Sequence, residues 1–162
     1  MRIRLFVTGG TFDKEYDEVH GTLAFRDTHV PRMLELGRCR LDVVVESLVL
    51  KDSLDLTPAD RAGIVHACTA CPESRIVVTH GTDTMVETAR AIAAAVRDRT
   101  VVLTGAMIPF AFGSSDGLFN LGSALSFAQA LPAGVYVAMN GRYFAHDRVR
   151  KNRDLGVFEA TD

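Results

Sequence analysis

The sequence predicts a three-layer, doubly wound α/β fold, a mostly parallel sheet with helices on both faces, formed as a single domain over residues 1–162. Short β-branched runs alternate with helically periodic segments four times. Each run stops at a polar corner, usually one containing glycine, and no repeat, linker or low-complexity tract divides the chain. The clearest unit is Ile76 to Ala95. Ile76, Val77, Val78 and Thr79 form a run without alternation, as in a strand covered on both faces. After the corner His80-Gly81-Thr82-Asp83-Thr84, residues Met85, Ala89, Ile92, Ala93 and Val96 recur at three- and four-residue steps, the stripe of a helix that covers the sheet.

Taken in order, Arg2 to Val7 reads as the first strand, ending in Thr8-Gly9-Gly10-Thr11-Phe12, where paired glycines allow a tight turn. Asp13 to Thr28 is polar and poorly periodic, a loop or short hairpin over that strand's end. His29 to Leu36 forms a helix with Pro31 in its first turn and Gly37 at its end. Leu41 to Leu50 is the second strand, expected to bend near Glu46 or Ser47. Thr57, Pro58 and Asp60 make a capping box opening a helix to about Ala70. Thr100 to Thr104 is another buried strand, followed by Gly105-Ala106-Met107. Turn signals fill Gly113 to Gly117, and Leu118, Leu121, Leu125 and Ala128 mark a helix. Val135 to Met139 is read as the last strand, closing at Asn140-Gly141-Arg142. The basic run Asp147 to Arg153 reads as a solvated face, with Lys151 as the exception.

With 18 basic and 20 acidic residues the net charge is −2, so nothing draws the chain to nucleic acid or an anionic membrane. The partner expected is a small molecule. Mean hydropathy of +0.13 is that of an ordinary globular chain. Met1 to Val7 lacks the apolar length of a signal peptide, and no apolar segment approaches the roughly 20 residues that span a bilayer. A cytoplasmic location is the expectation. Three cysteines, Cys39, Cys68 and Cys71, argue against a disulfide framework. The Cys68/Cys71 spacing fits a redox dithiol or half a zinc site, but it falls late in a helix with no second pair, and is read as structural burial.

In open α/β sheets, ligands bind beyond the carboxyl ends of the strands. Thr11, Ser53, Thr82, Asp83, Ala106 and Met107 all follow strands, so they are expected to converge in one crevice. The phosphate-cradling spacings GxGxxG and GxxxxGK[ST] do not occur.

The set Thr8-Gly9-Gly10-Thr11, His80-Gly81-Thr82-Asp83-Thr84-Met85, Thr104-Gly105-Ala106-Met107 and Asp116-Gly117-Leu118-Phe119-Asn120-Leu121 resembles the amino-terminal domain of bacterial L-asparaginases. The resemblance covers nearly the whole sequence. It implies amide hydrolysis by a threonine nucleophile, with Thr11 as the first catalytic threonine and Thr82 as the second. It also implies that Asp83 fixes a substrate α-amino group and Ser53 contacts its α-carboxylate. Lys151 falls where the family has a lysine bonded to the second threonine, and Tyr16 is the candidate lid tyrosine. Leu54 departs from the polar residue usual beside the serine. Full-length members carry a second, carboxy-terminal domain, which the sequence ending at Asp162 is expected to lack.

The chemistry is coherent without the name. A threonine hydroxyl needs a base or relay to act as a nucleophile, and Lys151 could supply one through Thr82 if desolvated. Backbone N–H groups of Gly10 and Gly81, with the Gly105-Ala106 corner, are the expected oxyanion donors. No metal or organic cofactor is required. The expected activity is therefore hydrolysis of asparagine or a related small amide, in a homodimer or higher homo-oligomer. The alternative is a catalytically weak or inactive protein that binds an amino acid or acid as a sensor or regulator.

Overall fold

The computed structural model describes residues 1–162, with ten strands and four helices. In chain order these are β1 (Arg2–Gly9), β2 (Lys14–Asp17), β3 (Thr22–Phe25), α1 (Val30–Leu36), β4 (Asp42–Lys51), α2 (Pro58–Ala70) and β5 (Arg75–Thr79). There follow α3 (Met85–Ala95), β6 (Thr100–Thr104), α4 (Gly117–Ala130), β7 (Gly134–Met139), β8 (Arg142–Ala145), β9 (Val149–Asn152) and β10 (Val157–Ala160). Six strands form the main sheet in the order β4-β1-β5-β6-β7-β8. All neighbours are parallel except β7 and β8. The predicted fold class is the one observed.

Period-two alternation divides the core between the two faces. On β1, Ile3, Leu5 and Val7 pack with Val30 and Met33 of α1 and Leu121, Ala124 and Leu125 of α4. Phe6 points the other way, toward Ile64 and Cys68 of α2 and Met85, Ala89 and Ile92 of α3. On β5, Val77 joins the first cluster, while Ile76 and Val78 join the second. A strand buried on both faces has no room for alternating polarity, which is why its sequence shows none.

Local signals account for the element ends. The Thr57 hydroxyl accepts from Asp60 N at 3.1 Å and the Asp60 carboxylate accepts from Thr57 N at 2.9 Å, completing the capping box. Lys51 adds a 2.7 Å ion pair to Asp60, and that ammonium, with the Thr57 bonds, holds the carboxyl down at about 2. Cys71 follows the last turn of α2. Burial pushes the Cys68 thiol up to about 12 and raises that of Cys71, so neither offers a thiolate at neutral pH. No helix is long and apolar enough to cross a membrane.

Two expectations need correction. Val135 to Met139 is not the last strand. Asn140 (φ 57°) and Gly141 (φ 75°) both take the left-handed conformation of a two-residue hairpin turn, and β7 reverses directly into antiparallel β8. The chain then makes a further hairpin, β9–β10, whose first strand lies in the basic run; Arg150 and Arg153 stay solvated there, as expected, while Lys151 turns inward. The second correction is one of position: pairing between β1 and β4 stays regular through Val7 and Ser47 and breaks just beyond, where Gly9 pairs with Lys51. The irregularity thus falls in Leu48 to Leu50, where the strand must clear the Gly9-Gly10 turn.

Candidate functional site

Counted along the sequence, the five parallel strands lie in the order second, first, third, fourth, fifth. The order reverses between β1 and β5, and such a switch point opens a crevice beyond the strands' carboxyl ends. The chain puts glycine there because the backbones nearly touch. A Cβ on Gly10 (φ 78°, ψ −174°) would lie 2.4 Å from Gly81 Cα, and one on Gly81 would lie 2.6 Å from the Ser53 Cβ. The corners after β1, β4 and β5 are therefore in direct contact.

Thr11 opens a short 3-10 turn after β1, half-buried, and its hydroxyl makes no hydrogen bond within the chain. Ser53 is buried on the 3-10 turn after β4. Its Oγ accepts from Thr84 N at 3.3 Å and its carbonyl from Thr84 Oγ1 at 2.9 Å, so its own hydroxyl proton remains free. Asp52 pairs with Lys14 at the base of the β2–β3 hairpin. Burial alone would raise its pKa, but the Lys14 ammonium and Leu54 N–H outweigh that and hold it below the usual carboxylate range.

Lys151 arrives from the far end of the chain. On β9, Val149 and Lys151 share one face. Val149 and Phe158 of the paired strand are sunk in the core, so Lys151 is carried inward with them. Its Nζ donates to Thr82 Oγ1 at 2.8 Å and to Asp83 Oδ1 at 3.0 Å, and its side chain is only 12% exposed. Arg153, two residues on, donates to the same Asp83 oxygen at 2.7 Å.

The backbone donors are not all available. Gly10 N–H, expected among the oxyanion donors, is committed to the Lys51 carbonyl at 2.9 Å, because the bulge in β4 places that oxygen over the turn. By contrast the N–H groups of Gly81, Thr82, Gly105 and Ala106 have no acceptor in the chain, although these residues are buried. Asp116 takes the next two, Met107 N and Ile108 N, at 3.0 Å. Asn120 is buried and ties the ends of β6 and β7 together: its Nδ2 donates to the Gly105 carbonyl at 2.9 Å, and its Oδ1 accepts from Asn140 N at 3.1 Å. The Asp116-to-Asn120 motif is thus the framework that shapes the Gly105-Ala106 corner.

Tyr16 stands on β2 opposite Leu23, 57% exposed, with no hydrogen bond to any of these groups. The hairpin that carries it is fixed at its base by Asp13, whose Oδ1 accepts from His29 N at 2.8 Å and Thr28 Oγ1 at 3.0 Å. A groove of about 340 Å³ between α1 and α4, lined by Met33, Leu41, Leu118 and Leu125, contains none of the site residues. Sequence reasoning missed the roles of Arg153, Lys14 and Asp52, whose pairings join residues 38 to 70 apart in the chain.

His80 fixes the corner after β5. Arg61 Nε donates to Thr88 Oγ1 at 3.0 Å, which leaves the single Thr88 hydroxyl proton for His80 Nε2 at 2.8 Å. His80 Nδ1 therefore carries the ring proton and donates to the Gly81 carbonyl at 2.8 Å. Burial lowers the pKa from 6.5 to about 4, with the Arg61 charge also acting against protonation. The unfolded chain binds this proton first, so its contribution to stability is complete above about 6.5 and is lost as pH falls toward 4. Over that range the expected loss is about 3 kcal/mol, with a slope near 1.4 kcal/mol per pH unit. Urea midpoints measured from pH 7 to 4.5 should show this slope, and His80→Asn should flatten it. An unchanged slope in the variant would refute the assignment.

Fold and site together define a doubly wound α/β domain whose switch-point corners carry two threonines and a carboxylate, with an inward lysine bonded to one threonine and to the carboxylate. The family described as "Asparaginase, N-terminal" matches residues 2–159, and the chain belongs to it. It is 31% identical to the L-asparaginase of Thermococcus kodakarensis over 165 aligned residues, 97% of this chain and 49% of that protein. The solved structure of that thermostable enzyme superposes with a TM-score of 0.84 over 99% of this chain and 51% of that one. A glutaminase-asparaginase of Acinetobacter glutaminasificans is 40% identical over 78% of this chain and 39% of its own length. The structure of a probable cytoplasmic L-asparaginase from Campylobacter jejuni gives a TM-score of 0.85 at 28% identity, over 99% of this chain and 53% of that one. The chain spans about half the length or less of these curated relatives.

Proposed function

We propose that the chain is an amidohydrolase that releases ammonia from asparagine or a related small amide through a threonine nucleophile. The observation that carries this reading is the Lys151 Nζ to Thr82 Oγ1 hydrogen bond of 2.8 Å at the rim of a crevice where Thr11 has a free hydroxyl. Thr11 Oγ attacks the amide carbon, and the oxyanion is received by N–H groups drawn from Gly81, Thr82, Gly105 and Ala106. Each such donor is typically worth a few kcal/mol of barrier. Thr82 passes its hydroxyl proton to the departing nitrogen, and the proton given up by Thr11 replaces it. The Lys151 ammonium on the Thr82 oxygen lowers the cost of the negative charge in between. The carbon–nitrogen bond breaks, ammonia leaves, and water cleaves the acyl-Thr11 ester to the free acid. Ser53 offers its free hydroxyl proton to a substrate carboxylate, and Tyr16 rides on the hairpin over the crevice. Assembly into a homodimer or larger homo-oligomer, expected from the sequence, belongs to this reading.

The test is ammonia release from L-asparagine, L-glutamine and succinamate, with the matching acid appearing in equal amount. Release from at least one of them is expected. A folded protein that releases none moves the reading to ligand binding without turnover.

A further inference from the structure

Asp83 is the carboxylate that the family resemblance assigns to a substrate α-amino group, yet one of its oxygens already receives two cations. Lys151 Nζ stands 3.0 Å and Arg153 Nη1 2.7 Å from Asp83 Oδ1. With one negative charge between them, the three side chains carry a net charge of +1. Lys14 and Asp52 close by neutralise each other as an ion pair. An ammonium group brought to Asp83 Oδ1 would therefore meet two cations already held by that oxygen.

Arg153 is not a loose residue at a hairpin tip. The turn that follows it is fixed by Asn152, whose Oδ1 accepts from Asp154 N at 3.2 Å and Leu155 N at 3.1 Å. The Asn152 Nδ2 in turn donates to Glu159 Oε2 at 3.3 Å, binding the turn to β10. Only Nη1 of the Arg153 guanidinium is engaged, so its remaining N–H groups are free to meet an anion in the planar, forked geometry that guanidinium provides.

Resting on the amidohydrolase reading, we propose that Arg153 is a specificity-determining residue that turns the crevice away from free α-amino acids and toward amides of acids lacking an α-ammonium group. Succinamate, which is asparagine without its amino group, represents that class. The reaction is ordinary hydrolysis: water enters, the carbon–nitrogen bond breaks, and ammonia and the dicarboxylic acid leave.

Succinate and L-aspartate differ only in the α-ammonium, so calorimetric binding of the two acids isolates the effect and needs no turnover. Wild-type protein should bind succinate about tenfold or more tightly than L-aspartate, and Arg153→Ala should reduce that ratio by about tenfold. Arg153→Lys, which restores the charge, should recover part of it. Because the Arg153 side chain is 64% exposed, the preference should also shrink with added salt. A wild-type preference for L-aspartate, a ratio unchanged in Arg153→Ala, or binding of neither acid at millimolar concentration would overturn the proposal. Ammonia release from the paired amides separates the two readings. If succinate preference depends on Arg153 but neither amide is hydrolysed, the amidohydrolase reading fails and the specificity stands. If asparagine is hydrolysed with a preference indifferent to Arg153, the specificity fails alone.

Discussion

Thr11→Val is expected to lower ammonia release by about a thousandfold or more while leaving the protein folded. The substitution keeps the branched shape of the side chain and replaces its hydroxyl with a methyl group. Since that hydroxyl makes no hydrogen bond within the chain, no buried partner is left unsatisfied, and the unfolding free energy from urea titration should change by about 0.5 kcal/mol or less. The activity loss should lie in kcat, because without the oxygen no acyl ester forms and the two-step route closes. Retention of more than a tenth of wild-type kcat would assign the nucleophile elsewhere, with Thr82 the next candidate. A large fall in stability alongside the loss would instead give Thr11 a structural role.

Lys151→Met should have the second-largest effect. Methionine keeps most of the apolar stem beside the core but supplies no donor for Thr82 Oγ1 or Asp83 Oδ1. Removing a group that stabilises developing charge through a proton relay typically costs 10²- to 10⁴-fold in rate, and a loss in that range is expected in kcat, roughly. Stability should fall by only about 1 kcal/mol, because Asp83 is partly solvated and keeps its Arg153 partner. The split between kcat and KM distinguishes charge stabilisation from scaffold. A charge-stabilising role predicts a loss in kcat with KM near the wild-type value, partly rescued in Lys151→Arg, whereas a purely structural lysine would move kcat and KM together. Near-normal kcat in Lys151→Met would remove Lys151 from the mechanism.

Some of this was legible in the sequence for a definite reason. The strands and helices follow from local periodicity, the start of α2 from its Thr57-Pro58-Asp60 capping box, and the place of the crevice from parallel strands ending in polar corners. Thr11, Ser53, Thr82 and Asp83 could be named because each lies within a few residues of a strand end. The Asn140-Gly141 turn is equally local, since that residue pair is itself a strong hairpin signal.

What the sequence by itself determined was therefore the α/β class with helices on both faces of a mostly parallel sheet, and the corners that carry hydroxyls and a carboxylate. Tertiary structure alone decided that Gly10 N–H is spent on Lys51 and that Arg153 shares Asp83 with Lys151; the bond from Lys151 to Thr82, across 69 residues, is implied by the family resemblance and by nothing local in the chain. The division has one cause. Backbone propensity and side-chain periodicity act over a few residues, and they can be read from neighbours in the chain. A hydrogen bond between distant residues depends on where Val149 and Phe158 find apolar contacts in the core, which is settled only when the whole sheet and its two faces are packed.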